Sequence, residues 1–298
     1  MTTFKINKIL VPVDFSPASL HALDYAHSLA KLTNAEITLL HIVENIHSTT
    51  DPFFVINPGV ETLEGELRKA SNESLARVAE QIKEKGDIKL NFFSSTGRTH
   101  KEILRVREKI NADIIVMGTH GVSGFREFIS GSNAFRVISD SLCPVLSIPE
   151  QSDAIVFKNI FVPFSDRPHS REKVMYAISM AQIYGAVLSV LGIDEENTKE
   201  HADRINKEAE QIKKIAEKYR VKCSATLVAA DYNAKTVLTG AKNAGSDLIT
   251  VMGDIMKKDI ADFFTGSFSE QIVNHSPIPV LSVHSIYNPE TVSLWQGM

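Results

Sequence analysis

The chain repeats itself. Lys8-Ile-Leu-Val-Pro-Val-Asp14 returns as Asn159-Ile-Phe-Val-Pro-Phe-Ser165, at an offset of 151 (159 against 8). Asn34-Ala-Glu-Ile-Thr-Leu-Leu-His-Ile42 returns as Gly185-Ala-Val-Leu-Ser-Val-Leu-Gly-Ile193 at the same offset. Farther along, Ala112-Asp-Ile-Ile-Val-Met-Gly118 aligns with Asp247-Leu-Ile-Thr-Val-Met-Gly253, an offset of 135 (253 against 118). Gly131-Ser132 then aligns with Gly266-Ser267, and Cys143-Pro-Val-Leu-Ser147 with Ile278-Pro-Val-Leu-Ser282. A period this long is no solenoid; it is two copies of one domain, which suits 298 residues. The second copy is shorter by 16 residues (151 less 135), most simply lost from the loop around His47–Glu61. Domains are expected at residues 1–150 and 155–285, followed by a tail over 286–298.

Each copy alternates short β-branched apolar runs with longer amphipathic stretches. In the first, the runs predict strands near 8–13, 36–43, 88–95, 113–118 and 144–148. Helices are predicted near 17–32, 62–85, 99–111 and 132–142; Ser16-Pro17 is a start signal and Gly86 a stop. In the second copy, Glu196–Arg220 reads as one long amphipathic helix with a solvated charged face. Strands alternating with helices give an α/β fold: a parallel sheet covered on both faces and joined by right-handed crossovers. Ligands of such sheets bind beyond the strand C-termini where strand order reverses. The final strands, Pro144-Val-Leu-Ser and Pro279-Val-Leu-Ser, are apolar enough to pair with each other, making an intramolecular pseudo-dimer, and two chains could associate further into a homodimer.

Bulk properties exclude several classes. Net charge is −4 with no basic stripe, which argues against nucleic acid as partner. No apolar run approaches the roughly 18 residues of a membrane span, and no signal peptide is visible, so a cytoplasmic protein is expected. The two cysteines, Cys143 and Cys223, lie one in each copy without a CxxC spacing and read as reduced, buried thiols.

The richest stretch is Asp113-Ile-Ile-Val-Met-Gly118-Thr-His-Gly121 through Gly131-Ser132-Asn133. A buried strand ends at a glycine-punctuated loop, and a helical pattern follows. Bare glycine backbone and a helix N-terminus both present N–H groups to an oxyanion, which makes a phosphate cradle. Gly118-x2-Gly121-x9-Gly131-Ser132, with Val11-Pro-Val-Asp14-Phe-Ser and the strand ending His41-Ile-Val-Glu44, resembles the nucleotide-binding class of universal stress proteins. The resemblance spans both copies, in the tandem form of that family. It implies Rossmann-like, flavodoxin-like domains with a five-stranded 3-2-1-4-5 sheet, and binding of ATP in the first.

The roles that the resemblance implies follow residue by residue. Pro12 and Val13 lead to Asp14, which would accept a hydrogen bond from ribose or the adenine edge. Ile42 would present its backbone to adenine, and Met117 and Gly118 would line the sugar, where a side chain at 118 would collide. Gly121, Gly131, Ser132 and Asn133 would hold the phosphates, with His120 and Arg126 in the same loop. Mg²⁺ would bridge phosphate oxygens, since the chain offers no protein cage for it. Against these stand plainer roles: a cap for Asp14, a solvent-exposed loop histidine for His120, surface charges for Arg126 and Arg136, structural roles for His41 and Glu44, and a small core residue for Cys143.

The second copy departs from the pattern. Ser165 stands where the first has Asp14, Met256 stands for Gly121, and Asp254 would repel a phosphate; Lys257 and Lys258 leave another anion conceivable. It is expected not to bind ATP. An enzyme remains the alternative, a slow ATPase or autophosphorylating protein, although the chain contains no GxxxxGK[ST], GxGxxG, HExxH or GxSxG. No catalytic residues are assigned. A zinc or lipid-precursor function rests on ten scattered histidines and the unmatched loop at 47–61, and no HxH or HxxxH ligand pair supports it.

Overall fold

The computed structural model describes residues 4–44, 58–119, 133–153, 155–167, 170–253 and 268–284. The first copy runs β1 (Lys8–Pro12), α1 (Pro17–Thr33), β2 (Glu36–Val43), α2 (Pro58–Glu84), β3 (Leu90–Thr96), α3 (Thr99–Ile110), β4 (Ile114–Thr119), α4 (Asn133–Asp140), β5 (Val145–Pro149). The second runs β6 (Asn159–Phe164), α5 (Lys173–Tyr184), β7 (Val187–Asp194), α6 (Lys199–Lys218), β8 (Cys223–Ala229), α7 (Ala234–Asn243), β9 (Leu248–Met252), α8 (Phe268–His275), β10 (Val280–Val283). The predicted elements of the first copy are all present, with ends displaced by a few residues.

The ten strands form one sheet in the order β3-β2-β1-β4-β5-β10-β9-β6-β7-β8. Each copy is thus a parallel 3-2-1-4-5 sheet, and the two join antiparallel through β5 and β10, with Leu281 opposite Leu146. The expected internal pairing of the two Pro-Val-Leu-Ser strands is observed. It consumes the edges a second chain would need there, leaving β3 and β8 as the outer strands. Apolar cores lie on both faces of the sheet and run across the seam: one joins Ile9, Leu146, Leu281 and Phe164, the other Leu10, Val145, Val280 and Phe161. Strands buried on both faces explain the unbroken apolar runs at 114–116 and 160–162.

The linker between copies is pinned. Phe157 is fully buried between Tyr25 of α1 (ring centroids 6.0 Å) and Tyr184 of α5 (4.8 Å), and Tyr25 Oη donates to Ser152 Oγ at 2.9 Å. The second copy's shortfall is shared between two places: the connection 195–198 replaces 44–57, and α6 has 20 residues where α2 has 27. Cys143 is buried, as read from sequence, but Cys223 at the start of outer strand β8 is only partly so. Among the described residues no helix is long and apolar enough to cross a membrane.

Candidate functional site

β1 pairs with β2 on one side and β4 on the other, Ile9 opposite Ile114. Strand order reverses between β1 and β4, so their carboxyl ends open a crevice at the switch point. Pro12 and Val13 are buried, and Val13 N–H donates to Leu40 O at 2.8 Å. Asp14 emerges into solvent at the end. Its Oδ1 accepts from Ser16 N–H (3.0 Å) and Ser16 Oγ–H (2.6 Å), while Ser16 Oγ caps α1 by accepting from Ser19 N–H (3.2 Å). Ser16 is the helix cap, and Asp14 locks the turn before it. Partial burial pushes the Asp14 carboxyl up, but hydrogen bonds from Ser16 and Ser19 outweigh it and hold it below the ordinary aspartate value. Between them Phe15 has φ of 64°, a left-handed conformation that an aromatic residue rarely adopts.

That conformation lays the Phe15 ring on His41, centroids 4.6 Å apart, and His41 Nδ1 sits 2.7 Å from Val13 O. With Ile42 these rings wall a cavity of about 380 Å³ under Leu67 and Ala70 of α2. Glu44 accepts a hydrogen bond from Thr99 Oγ1 at 2.7 Å. His41 and Glu44 are each hydrogen-bonded within the fold while also lining this cavity.

Met117 is buried in β4, and Gly118 follows it next to α1. A Cβ at 118 would lie 2.4 Å from Ala18 O and 2.5 Å from Ala18 C. The bare backbone is thus required by the protein's own helix, a reason distinct from the sugar contact that the resemblance implies. Asn133 opens α4 and is exposed, as is Arg136. His120, Gly121, Arg126, Gly131 and Ser132 lie outside the described residues, as do Asp254, Met256, Lys257, Lys258, the 47–57 part of the longer loop and the 286–298 tail.

The second copy is not in the register its letters suggest. Lys8 N–H donates to Asp113 Oδ2, and its equivalent, Asn159 N–H, donates to Asp247 Oδ1. Asp113 therefore corresponds to Asp247, an offset of 134 (247 against 113). At the far end Gly118 stands opposite Ile148, whereas Met252 stands opposite Val283. Since Val283 is the equivalent of Ile148 at offset 135, Met252 occupies the place of Gly118. The sequence match of Gly118 to Gly253 is off by one. Consistent with a side chain there, α5 starts at Lys173, five residues after the position equivalent to Pro17 (168).

The sequence profile of the universal stress protein family matches residues 5–149 and again 157–284. The chain belongs to that family. It is 33% identical over 146 residues to universal stress protein YxiE of Bacillus subtilis, covering 48% of this chain and 98% of that protein. It is 30% identical over 155 residues to universal stress protein MJ0577 of Methanocaldococcus jannaschii, covering 49% and 96%. Among solved structures, a universal stress protein from Archaeoglobus fulgidus is similar over 95% of this chain and 97% of its own, with TM-score 0.74 at 21% identity, a likeness of fold.

In this universal stress protein the second copy has rebuilt the cavity floor. At offset 151, Phe15, His41 and Val43 become Asp166, Gly192 and Asp194. A Cβ at Gly192 would come within 2.6 Å of Ile205 Cγ2, so the glycine lets α6 settle onto β7. His201, one turn before Ile205, is thereby brought down beside Asp194; both are almost fully buried. Asp194 Oδ1 bonds His201 Nδ1 and also takes Asn197 N–H at 2.9 Å and Glu196 N–H at 3.2 Å. The hydrogen bond to Asp194 holds the His201 imidazole above its ordinary range; burial pushes Asp194 up, but its bonds to His201 and Asn197 bring it below the usual carboxylate value. Arg167 grips Glu195 with two bonds (2.9 and 2.6 Å). Sequence reading missed this cluster, because its members are scattered from 166 to 204 and match no local ligand spacing. The one local signal was a carboxylate, Asp194, at a strand end that is apolar in the first copy.

Proposed function

We propose that the first copy binds ATP, with Mg²⁺ on the phosphates, and that the protein works as a nucleotide-responsive binding module in the stress response. The observation that carries this reading is the adjacency of β1 and β4: it sets the Asp14 turn and the strand leading to the 118–132 loop at one crevice, beside a cavity walled by Phe15, His41 and Ile42. The rings of Phe15 and His41 offer faces on which a planar base can pack. Asp14, held ionised by Ser16, would accept from a ribose hydroxyl. The glycines and Ser132 would supply main-chain and hydroxyl donors to the phosphates. Mg²⁺ would ride on phosphate oxygens and water.

The second copy is read as unable to bind the same ligand. Asp166 and Gly192 replace the Phe15–His41 aromatic pair, and Met252 fills the place of Gly118. The functional unit is then one nucleotide per chain, its occupancy read out through α1 and the shared sheet.

Calorimetric titration of the full chain with ATP and Mg²⁺, after removal of copurified nucleotide, tests this. One site per chain is expected, and mass spectrometry of the denatured protein as purified should show adenine nucleotide. Gly131→Asp, which adds bulk and charge beside the phosphates, should abolish binding with the fold intact. No binding by wild type, unchanged affinity in Gly131→Asp, or two sites per chain would refute the reading. Phosphate release over many turnovers per minute would favour an enzyme instead.

A further inference from the structure

We propose that Asp166, Glu196 and His201 form a divalent transition-metal site in the second copy, with Asp194 as the residue that orients the histidine. One ligand atom from each of the three lies within 4.8 Å of the others. Four-coordinate zinc with N and O ligands at about 2.1 Å needs ligand atoms roughly 3.4 Å apart, so a small closure suffices. Asp166 and Glu196 are both exposed, and Glu196 can make that closure by a rotamer change.

The histidine is what separates this cluster from ordinary surface acids. His201 is 1% exposed, and its Nδ1 is engaged by Asp194, so Nε2 is the nitrogen presented to the cluster. Nε2 comes within 3.1 Å of Asp166 Oδ2 yet makes no hydrogen bond of acceptable geometry. A buried imidazole held through one nitrogen by a carboxylate, with the other aimed at two more carboxylates, has the make-up of a carboxylate–histidine–metal triad. The backbone supports it: Asp194 fixes the 195–197 turn that carries Glu196, and Thr198 Oγ1 caps α6 at His201 N–H (3.2 Å).

Charge points the same way. Arg204 faces Asp166 and Glu196, Arg171 faces the half-buried Glu208, and Asp194 pairs with His201. Arg204 lies 3.0 Å from Asp166 and 3.6 Å from Glu196, which marks the spot as a cation seat that a metal would take from it. One imidazole with two carboxylates is a borderline ligand set, suited to Zn²⁺ and neighbouring divalent ions rather than to Ca²⁺.

The test uses the full chain, freed of nucleotide and stripped with chelator, titrated calorimetrically with Zn²⁺ and assayed for bound metal by mass spectrometry. The expected result is one Zn²⁺ per chain, a Co²⁺ derivative with the visible absorption of a four- or five-coordinate site, and unchanged circular dichroism. Glu196→Gln, at an exposed position that the fold does not need, should weaken Zn²⁺ at least tenfold and abolish the Co²⁺ bands. Asp194→Asn should weaken it by about tenfold while keeping the bands. No stoichiometric Zn²⁺, the same affinity in Glu196→Gln, or binding only in Arg204→Ala would overturn the proposal. The last would show that the guanidinium is the site's permanent cation.

Discussion

Leu146 lies opposite Leu281 across the antiparallel seam, and the two are the same position of the two copies (281 against 146 is the offset of 135). The flanking pairs, Val145 with Ser282 and Ser147 with Val280, interchange under that offset. The pseudo-twofold axis of the molecule therefore passes through one leucine pair. Both side chains are fully buried in the same apolar core, so the axis passes through a core that the two copies share.

Leu281→Ala should accordingly destabilise the whole chain rather than its second copy alone. A core leucine truncated to alanine costs about 3 kcal/mol. In urea unfolding the midpoint should fall and signals from both copies should move together. An unshifted midpoint would mean the seam carries little of the stability.

Gly118→Ala should be costly for a different reason. The added methyl would meet the carbonyl group of Ala18, helix backbone that cannot step aside, and overpacking of this kind costs about 1–3 kcal/mol. Gly253→Ala should be milder, because the nearest atoms there belong to the His284 side chain rather than to backbone. Thermal melts of the two variants side by side check the order.

Lys173 is fully buried in α5 at the place of Ala22, with Nζ donating to Ser170 O at 2.6 Å. Burial pulls its amine from 10.5 down to about 7. Between those values the unfolded chain holds a proton that the folded protein does not, so stability from this group rises with pH from about 7 to 10.5 and is lost as pH falls back. Lys173→Met should flatten that slope and raise stability at pH 7, on the order of 3 kcal/mol. Denaturation midpoints at pH 7 and pH 10, for both proteins, read the difference.

Asp14 carries two jobs that variants can separate. Asp14→Ala removes the acceptor for Ser16 N–H and Oγ–H and should cost about 1 kcal/mol, a typical turn or cap loss. Asp14→Asn keeps an acceptor oxygen and should cost less. Nucleotide affinity, measured calorimetrically, should fall in both, beyond what their stability explains. Affinity tracking stability alone would reduce Asp14 to a turn residue.

Much of the architecture was legible because it depends on local pattern. Apolar runs of β-branched residues at 9–11, 114–116 and 160–162 announced buried parallel strands, and Ser16-Pro17 announced α1. The first copy's mouth followed, since Asp14 and Gly118 end strands that the fold rule places at one edge. The slip that puts Met252 at the place of Gly118 was invisible: matching Val-Met-Gly to Val-Met-Gly is the better alignment by letters, but the register is set by Asp247 accepting from the start of β6.

The repeat, the α/β class, the pairing of the two Pro-Val-Leu-Ser strands and the loss of the nucleotide pattern in the second copy were determined by sequence alone. They depend on periodicity and on which residue types can occupy a strand end. Only tertiary structure decided that Gly118 is bare for the sake of Ala18, that Phe15 turns left-handed onto His41, and that His201 meets Asp194, Asp166 and Glu196. Those relationships join residues far apart in the chain through helix settling and strand register, distances that no local pattern of letters records.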